Sequence, residues 1–356
     1  MNNTKMRRKT RQALTLTVAA ALLCAPLLAG ADKASAASSY KIINQPIEVN
    51  GTQSNIAAID LDSSRYIALR SLNKTIGLTT NWDKSTNVVT VTGRGRTLTL
   101  DLKKGIATMN GQSLYRLSPV VQNDTTYVPL RYLLEQMGYG VSYDPATKRI
   151  GIEAIEENNL KISTATIEKS SKKYDLVVHY PVLSGYANED VQSKVNAVLK
   201  KDAELQAKEG QTSLEEPLND SSFEPTNPYA FEGDYTITYN EKGKLSLYVD
   251  YYIYTGGAHG STARTTYTFD LATGDLISLK DAAGGNSDYV NIINAKIKSD
   301  IKARGLGLIE PFKTIEPDRD YFLKHNGIVV YFGQYEYVPY AAGMPEFEVP
   351  FSSFVK

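Results

Sequence analysis

Two stretches of the first half are copies of one another. "YIALRSLNKTIGLTTNWDKSTNVVTV" (Tyr66–Val91) and "YVPLRYLLEQMGYGVSYDPATKRIGI" (Tyr127–Ile152) align without a gap at an offset of 61 residues. A repeat means one supersecondary unit used twice, and that limits the folds open to the chain more than composition does. Tyr66, Leu69, Arg70, Leu72, Gly77, Asp83 and Thr86 recur as Tyr127, Leu130, Arg131, Leu133, Gly138, Asp144 and Thr147, and Trp82 pairs with Tyr143. Each copy predicts a short strand and a two-turn helix. The helix stripe is Leu69, Leu72 and Ile76 in one copy, Leu130, Leu133 and Met137 in the other. Gly77 or Gly138 closes the helix, and a hairpin follows with its turn at Asp83 or Asp144. Between the copies, "RTLTLDLKKGIATMNGQSL" reads as further hairpins, Asn110-Gly111 being a strong turn signal. Arg70 and Arg131 are expected to tie each helix start to the Asp83 and Asp144 turns, the alternative being surface ligand contacts.

The second half has a different grammar. Residues 160–183 read as a hairpin turning near Ser170-Ser171-Lys172. Asn188 starts a helix, with Glu189 and Asp190 favourably placed in its first turn. Its stripe is Val191, Val195, Val198 and Leu199, and Gly210 is read as its end. Glu209 to Tyr229, polar with three prolines, is expected to be a long surface loop. Strands follow at Tyr235–Asn240 and Lys244–Tyr254. In the latter, Leu245, Leu247, Val249, Tyr251 and Ile253 face a core, while Ser246, Tyr248, Asp250, Tyr252 and Tyr254 form a half-polar row. That row leads into "TGGAHG" (Thr255–Gly260). Arg264–Leu271 is a further strand, Ser287 caps a helix that Gly305 stops, and the chain ends in β structure.

The ends bound the compartment. Lys5, Arg7, Arg8, Lys9 and Arg11 precede an apolar run, and Ala34-Ser35-Ala36 suits signal peptidase, so residues 1–36 read as a secretory signal peptide. The alternative is a retained anchor. Cys24, the one cysteine, would leave with the leader, which excludes a disulfide scaffold and thiolate chemistry. The leader holds six of the 39 basic and one of the 39 acidic residues, so the remainder carries a net charge of about −5. That argues against nucleic acid as partner. No later segment reads as membrane-spanning.

The repeat block, over about residues 44–155, resembles the copper amine oxidase N-terminal-like stalk domain. The resemblance implies a spacer or wall-associated module. Copper does not carry over, because residues 37–160 contain neither His nor Cys. The run "YTGGAHG…TFDLATGDLISLKD", the helix near Asn291–Ile301 and "VVYFGQYEYVPYAAGMPEFEVP" resemble the paired DUF4163/DUF3298 module. That module occurs in lysozyme-sensing anti-sigma factors of the RsiV type and in PdaC-like peptidoglycan deacetylases. The deacetylases keep their metal ligands, an Asp-Asp and a His-x-x-x-His, in a separate domain, and neither motif is present here. The sigma-binding segment and membrane span of the anti-sigma factors are likewise not expected to carry over.

The expected architecture is α+β: a small repeated strand–helix–hairpin stalk domain, then an antiparallel-sheet domain with two packed helices. The expected divisions are a leader over 1–36, the stalk over 40–155, a DUF4163-like part over 160–260 and a DUF3298-like part over 261–356. The expected function is that of a secreted, non-catalytic cell-envelope protein binding peptidoglycan or a lysozyme-like protein, without cofactor or metal. The 24 tyrosines offer flat faces with polar tips. Tyr248, Tyr252, Tyr254, His259, Tyr335 and Tyr337 are the candidate contacts. The Gly256 and Gly257 turn reads as fold-determining. The alternative is a wall hydrolase or deacetylase-like enzyme pairing His259 with a carboxylate such as Asp250.

Overall fold

The computed structural model describes residues 39–61, 64–219 and 227–355. The expected leader, with Cys24, lies outside the described residues.

Strands β1 (Ile43–Val49), β2 (Thr52–Leu61) and β3 (Ser64–Ala68) lead into helix α1 (Ser71–Thr75), followed by the hairpin β4 (Thr79–Asp83) and β5 (Val88–Gly93). Strands β6 (Arg96–Asp101), β7 (Ile106–Met109) and β8 (Gln112–Ser113) extend that hairpin into a five-stranded sheet. Strand β9 (Val120–Gln122) precedes the second copy, which runs through β10 (Thr125–Pro129), helix α2 (Leu130–Gln136) and the hairpin β11 (Tyr139–Asp144) and β12 (Arg149–Ala154). A seven-stranded sheet runs β11-β12-β1-β2-β3-β10-β9. In it β12 lies parallel to β1, with Ile150 opposite Ile47.

The helix stripes predicted from the repeat are buried in one core that also takes residues from both sheets. Gly77 and Gly138 have φ of 81° and 82°, the left-handed conformation that ends a helix at little cost only for glycine. The arginine expectation fails. Arg131 donates to the Val141 carbonyl at 2.7 Å, and Arg70 is exposed. The Asp83 and Asp144 carboxylates instead accept from the backbone N–H of Ser85 and Ala146, so each turn is closed from within.

The second half is a five-stranded sheet in chain order: β13 (Lys161–Ser170), β14 (Tyr174–Ser184), β15 (Tyr229–Glu241), β16 (Lys244–Tyr254) and β17 (Ser261–Asp270). The pair β14–β15 is parallel, because the long helix α3 (Glu189–Glu215) crosses over between them. The sheet runs across position 260, where the sequence reading divides this half.

Asn188 caps α3 by accepting from the Val191 N–H at 3.1 Å. Val191, Val195, Leu199, Ala203, Ala207 and Leu214 pack on Leu245, Leu247, Val249 and Tyr251 of the sheet. Gly210 does not end this helix. It is buried within it, and a Cβ there would lie 2.6 Å from the Phe231 ring. Glycine is present for close approach, not for a stop, and helical structure continues to Asn219 through much of the expected loop. Of that loop, 220–226 lie outside the described residues.

Helix α4 (Leu279–Ala282), helix α5 (Tyr289–Arg304) and the antiparallel strands β18 (Tyr321–Lys324), β19 (Gly327–Tyr331) and β20 (Glu346–Pro350) form a third core. Asp288, one residue past the expected cap Ser287, precedes α5, and Gly305 ends it. Strand β18 covers part of the second face of the five-stranded sheet. The Leu323 N–H donates to the Ser246 hydroxyl at 2.9 Å, and the Phe322 ring lies 5.2 Å from that of Tyr248.

The repeat block is tied to the second half by polar contacts. Gln112 donates to the Tyr235 carbonyl at 2.9 Å and accepts from the Tyr235 N–H at 3.0 Å. Its carboxamide serves as a strand edge beyond Gly233, where the pairing of β14 with β15 ends. His325 sits between Glu241 and Glu153, 2.8 and 2.7 Å away. Arg96 makes a bidentate pair with Glu157 at 2.8 and 2.6 Å.

Candidate functional site

The second face of the five-stranded sheet carries a row of charge at one register. His179 on β14 bonds Asp234 on β15 at 2.7 Å. Asp234 lies directly opposite Asp250 on β16, which lies opposite Arg264 on β17. Two carboxylates facing each other across strands repel. Here each is bound on its outer side, Asp250 by both Nε and Nη2 of Arg264 at 2.7 and 2.8 Å. Arg264, only 4% exposed, also donates to Glu346 at 3.0 Å and lies 3.8 Å from the centre of the Tyr248 ring.

Above this row is a cleft of about 500 Å³, lined by side chains from three parts of the chain. The sheet gives Glu232, Asp234, Thr236, Tyr248, Asp250, Tyr252, Thr262 and Arg264; Met344 and Glu346 come from the C-terminal segment. Ser113, Tyr115, Arg116 and Tyr132 come from the repeat block. Burial alone would raise the Glu346 carboxyl, but the charges of Arg116, Lys324 and Arg264 pull it down to about 2. It is therefore an anion at any ordinary pH. Desolvation of the hydroxyl where it meets Glu232, together with that carboxylate's hydrogen bond and charge, pushes the Tyr115 phenol above its usual range although the residue as a whole is largely exposed, so it stays a hydrogen-bond donor.

The sequence-derived candidates divide into three groups. Tyr252 lines the cleft, half-buried. Tyr248 lines it too, but is 3% exposed and held between Arg264 and Phe322, so it is a floor and not a free contact. The half-polar row was read correctly for direction. What covers it at Ser246 and Tyr248 is β18, whose sequence lies some seventy residues downstream.

His259 and Tyr335 gather around a residue that sequence reasoning missed, Tyr340. His259 stacks on it at 3.9 Å and 21°, and Tyr335 lies 5.8 Å away at 35°. The TGGAHG turn is held to this segment by Gln334, which accepts from the Thr262 N–H at 2.7 Å. Tyr254 donates to the Gly257 carbonyl at 3.2 Å. Gly256 and Gly257 have φ of 94° and 89°, as the turn reading requires. Gly260 leaves room for the Tyr252 ring, which a Cβ would meet at 2.4 Å.

Tyr337 belongs to the third core, 4.5 Å from Phe332 and 5.5 Å from Phe312. The His259–Asp250 pair expected of a hydrolase is not assembled. Arg264 is the cross-strand partner of Asp250 and takes both its oxygens, while His259 Nδ1 lies 2.9 Å from the Gly260 carbonyl. Among the described residues no group of three or more His, Cys, Asp or Glu is placed to hold a metal ion.

The family profile for the copper amine oxidase N-terminal domain matches residues 48–152 and again 114–205, and that for DUF3298, a protein of unknown function, matches 279–352. The chain carries a copper amine oxidase N-terminal domain and a DUF3298 domain. Between them, residues 167–262 match the profile of deacetylase PdaC. The peptidoglycan-N-acetylmuramic acid deacetylase PdaC of Bacillus subtilis is 26% identical over 130 residues, 36% of this chain and 26% of that protein. The chain thus spans about a quarter of the deacetylase's length. The anti-sigma-V factor RsiV of the same organism is 25% identical over 201 residues, 53% of this chain and 67% of that protein. DUF3298 proteins of known structure from Bacteroides fragilis and Pseudomonas aeruginosa superpose with TM-scores of 0.44 and 0.40. Both are 18% identical, and each match covers 55% of this chain and 93% of the other. Among the described residues no helix is long and apolar enough to cross a membrane.

The repeat block, with its copper-derived family name, has no His or Cys over residues 40–155, so its residues do not fit a copper centre.

Proposed function

We propose that this is a secreted, non-catalytic recognition protein of the cell envelope, which binds peptidoglycan or a lysozyme-like protein through the tyrosine-lined cleft. Its parts are a leader over 1–36, a stalk over 40–155, a DUF4163-like part over 160–260 and a DUF3298-like part over 261–356. The leader pattern supports export, and the PdaC and RsiV relatives support an envelope partner.

One observation carries the binding reading over the catalytic one. All four carboxylates of the cleft are already engaged: Glu232 by the Tyr115 hydroxyl, Asp234 by His179, Asp250 by Arg264, and Glu346 by Arg264 and Arg116. A general acid needs a carboxyl held above its ordinary range. The buried one here, Glu346, is held below it. What remains for a ligand is ring faces, hydroxyls and the spare acceptor capacity of these ionised carboxylates, which suit recognition.

Calorimetric titration of the purified protein with muramidase-released peptidoglycan fragments, and separately with lysozyme, tests this. Saturable binding to one of them is expected, weakened by Tyr252→Ala with the fold intact. No saturable binding to either overturns the proposal.

A further inference from the structure

Tyr115 is the most exposed aromatic ring among the described residues, at 69%, yet its position is fixed. Its hydroxyl donates to Glu232 at 2.7 Å, across the seam between the repeat block and the five-stranded sheet. Glu232 is in turn the cross-strand partner of Tyr252. One carboxylate therefore stands beside two tyrosines that come from opposite sides of the cleft. Further along the same wall, the Arg116 guanidinium lies 5.5 Å from the centre of the Tyr132 ring and donates to Glu346 at 2.9 Å. The buried Gln112 carboxamide, three residues before Tyr115, locks this wall to β15.

We infer that the stalk is not a spacer for the recognition module but one wall of its ligand site, and that the occupant is a saccharide segment contacted by Tyr115 and Tyr132 of the stalk together with Tyr252 of the module. The inference rests on the cleft proposed above as the binding site and names its ligand class.

Three features argue for a sugar over a protein surface. The cleft is concave, and its volume of about 500 Å³ lies in the range of small-ligand sites. Tyrosine faces match the apolar C–H faces of pyranose rings, and their anchored hydroxyls keep the rings in place before the ligand arrives. Each carboxylate retains acceptor capacity beyond its present partner, and Ser113, Thr236 and Thr262 add hydroxyls, which suits a ligand made mostly of hydroxyl donors.

The test is titration of the full protein with chitotetraose, with lysozyme as a second probe, for wild type, Tyr252→Ala, Tyr115→Ala, Tyr132→Ala and Trp82→Ala. Trp82 is exposed on the stalk but lies outside the cleft lining. Thermal melts accompany each variant; exposed Tyr115 is expected to leave the midpoint unchanged on truncation. Loss of one stacked ring is expected to weaken chitotetraose binding about tenfold in Tyr115→Ala and in Tyr252→Ala, with Trp82→Ala unchanged. Weakening by Tyr252→Ala but by neither stalk tyrosine overturns the shared site and leaves the module reading standing. Tyr252-dependent binding of lysozyme without any of chitotetraose overturns the saccharide and leaves the recognition function. Silence on both probes removes the function and this inference with it.

Discussion

Gln112 offers the sharpest test of how the two halves are joined. Replacement by methionine keeps most of the side-chain volume and removes both hydrogen bonds to Tyr235. Gln112 is 5% exposed and Tyr235 2%, so the N–H and carbonyl left behind have little access to water. An unsatisfied buried polar group costs about 1–3 kcal/mol, and two are created. The seam also borders a cleft lined by Met109, Asn110 and Tyr239. Partial water entry from that side brings the expected loss to about 2–4 kcal/mol, toward the lower half of that doubled range. Urea unfolding followed by circular dichroism and by the emission of Trp82, the single tryptophan, measures it. The two signals report the whole chain and the stalk, and coincident midpoints establish that both unfold together. Amide exchange at Tyr235 is expected to quicken in the variant. Gln112→Glu sets a carboxylate against the Tyr235 carbonyl and is expected to be worse at neutral pH, recovering in acid as the protonated carboxyl regains a donor. A loss below about 0.5 kcal/mol for Gln112→Met would refute the reasoning, since it would mean the Tyr235 groups are not desolvated.

Two further outcomes follow from geometry. Gly210→Ala gains about 1 kcal/mol of helix propensity but drives a Cβ to 2.6 Å from the Phe231 ring, and overpacking of about 1–3 kcal/mol is expected to win, lowering the melting temperature. For His325, burial lowers the pKa, but hydrogen bonds and charge from Glu241 and Glu153 outweigh it and leave the folded value above the ordinary 6.5. Its stabilisation is therefore full below about pH 6.5 and fades as pH rises through the folded value. The stability gap between wild type and His325→Gln should shrink from pH 6 to pH 8.5, and a constant gap would contradict this.

The sequence disclosed what local chemistry decides. The Asn188 cap, the left-handed Gly77, Gly138 and Gly305, and the Asn110-Gly111 turn are readable because cause and effect lie within a few residues. Gly210 was misread because a helix stop and a close approach both call for glycine, and only Phe231, brought in by a distant strand, separates them. Tyr248 and Tyr252 alternate correctly, but their different fates depend on where β18 stops covering the sheet. The candidate cleft was legible only in part. Tyr248 and Tyr252 stood in an alternating strand, and His259 and Tyr335 gather around Tyr340 instead of lining it, whereas Arg264 and Glu346 gain meaning only through the contacts of distant strands, and Tyr115, Arg116 and Tyr132 only through docking of the repeat block. Parallel pairing of β14 and β15 was likewise hidden, since a crossover is a property of topology and not of either strand.

The parallel pairing of β1 with β12 has a mechanical consequence. These are the first and last strands of the repeat block, joined through Ile47–Val49 and Ile150–Ile152. Tension applied to the chain on either side of the block pulls two parallel neighbours past each other along their length. The hydrogen bonds between them are then loaded together in shear, whereas an antiparallel hairpin pulled at its open end gives way one bond at a time, like a zip. A block closed in this way resists extension until the whole ladder yields, so it transmits force instead of acting as a slack tether.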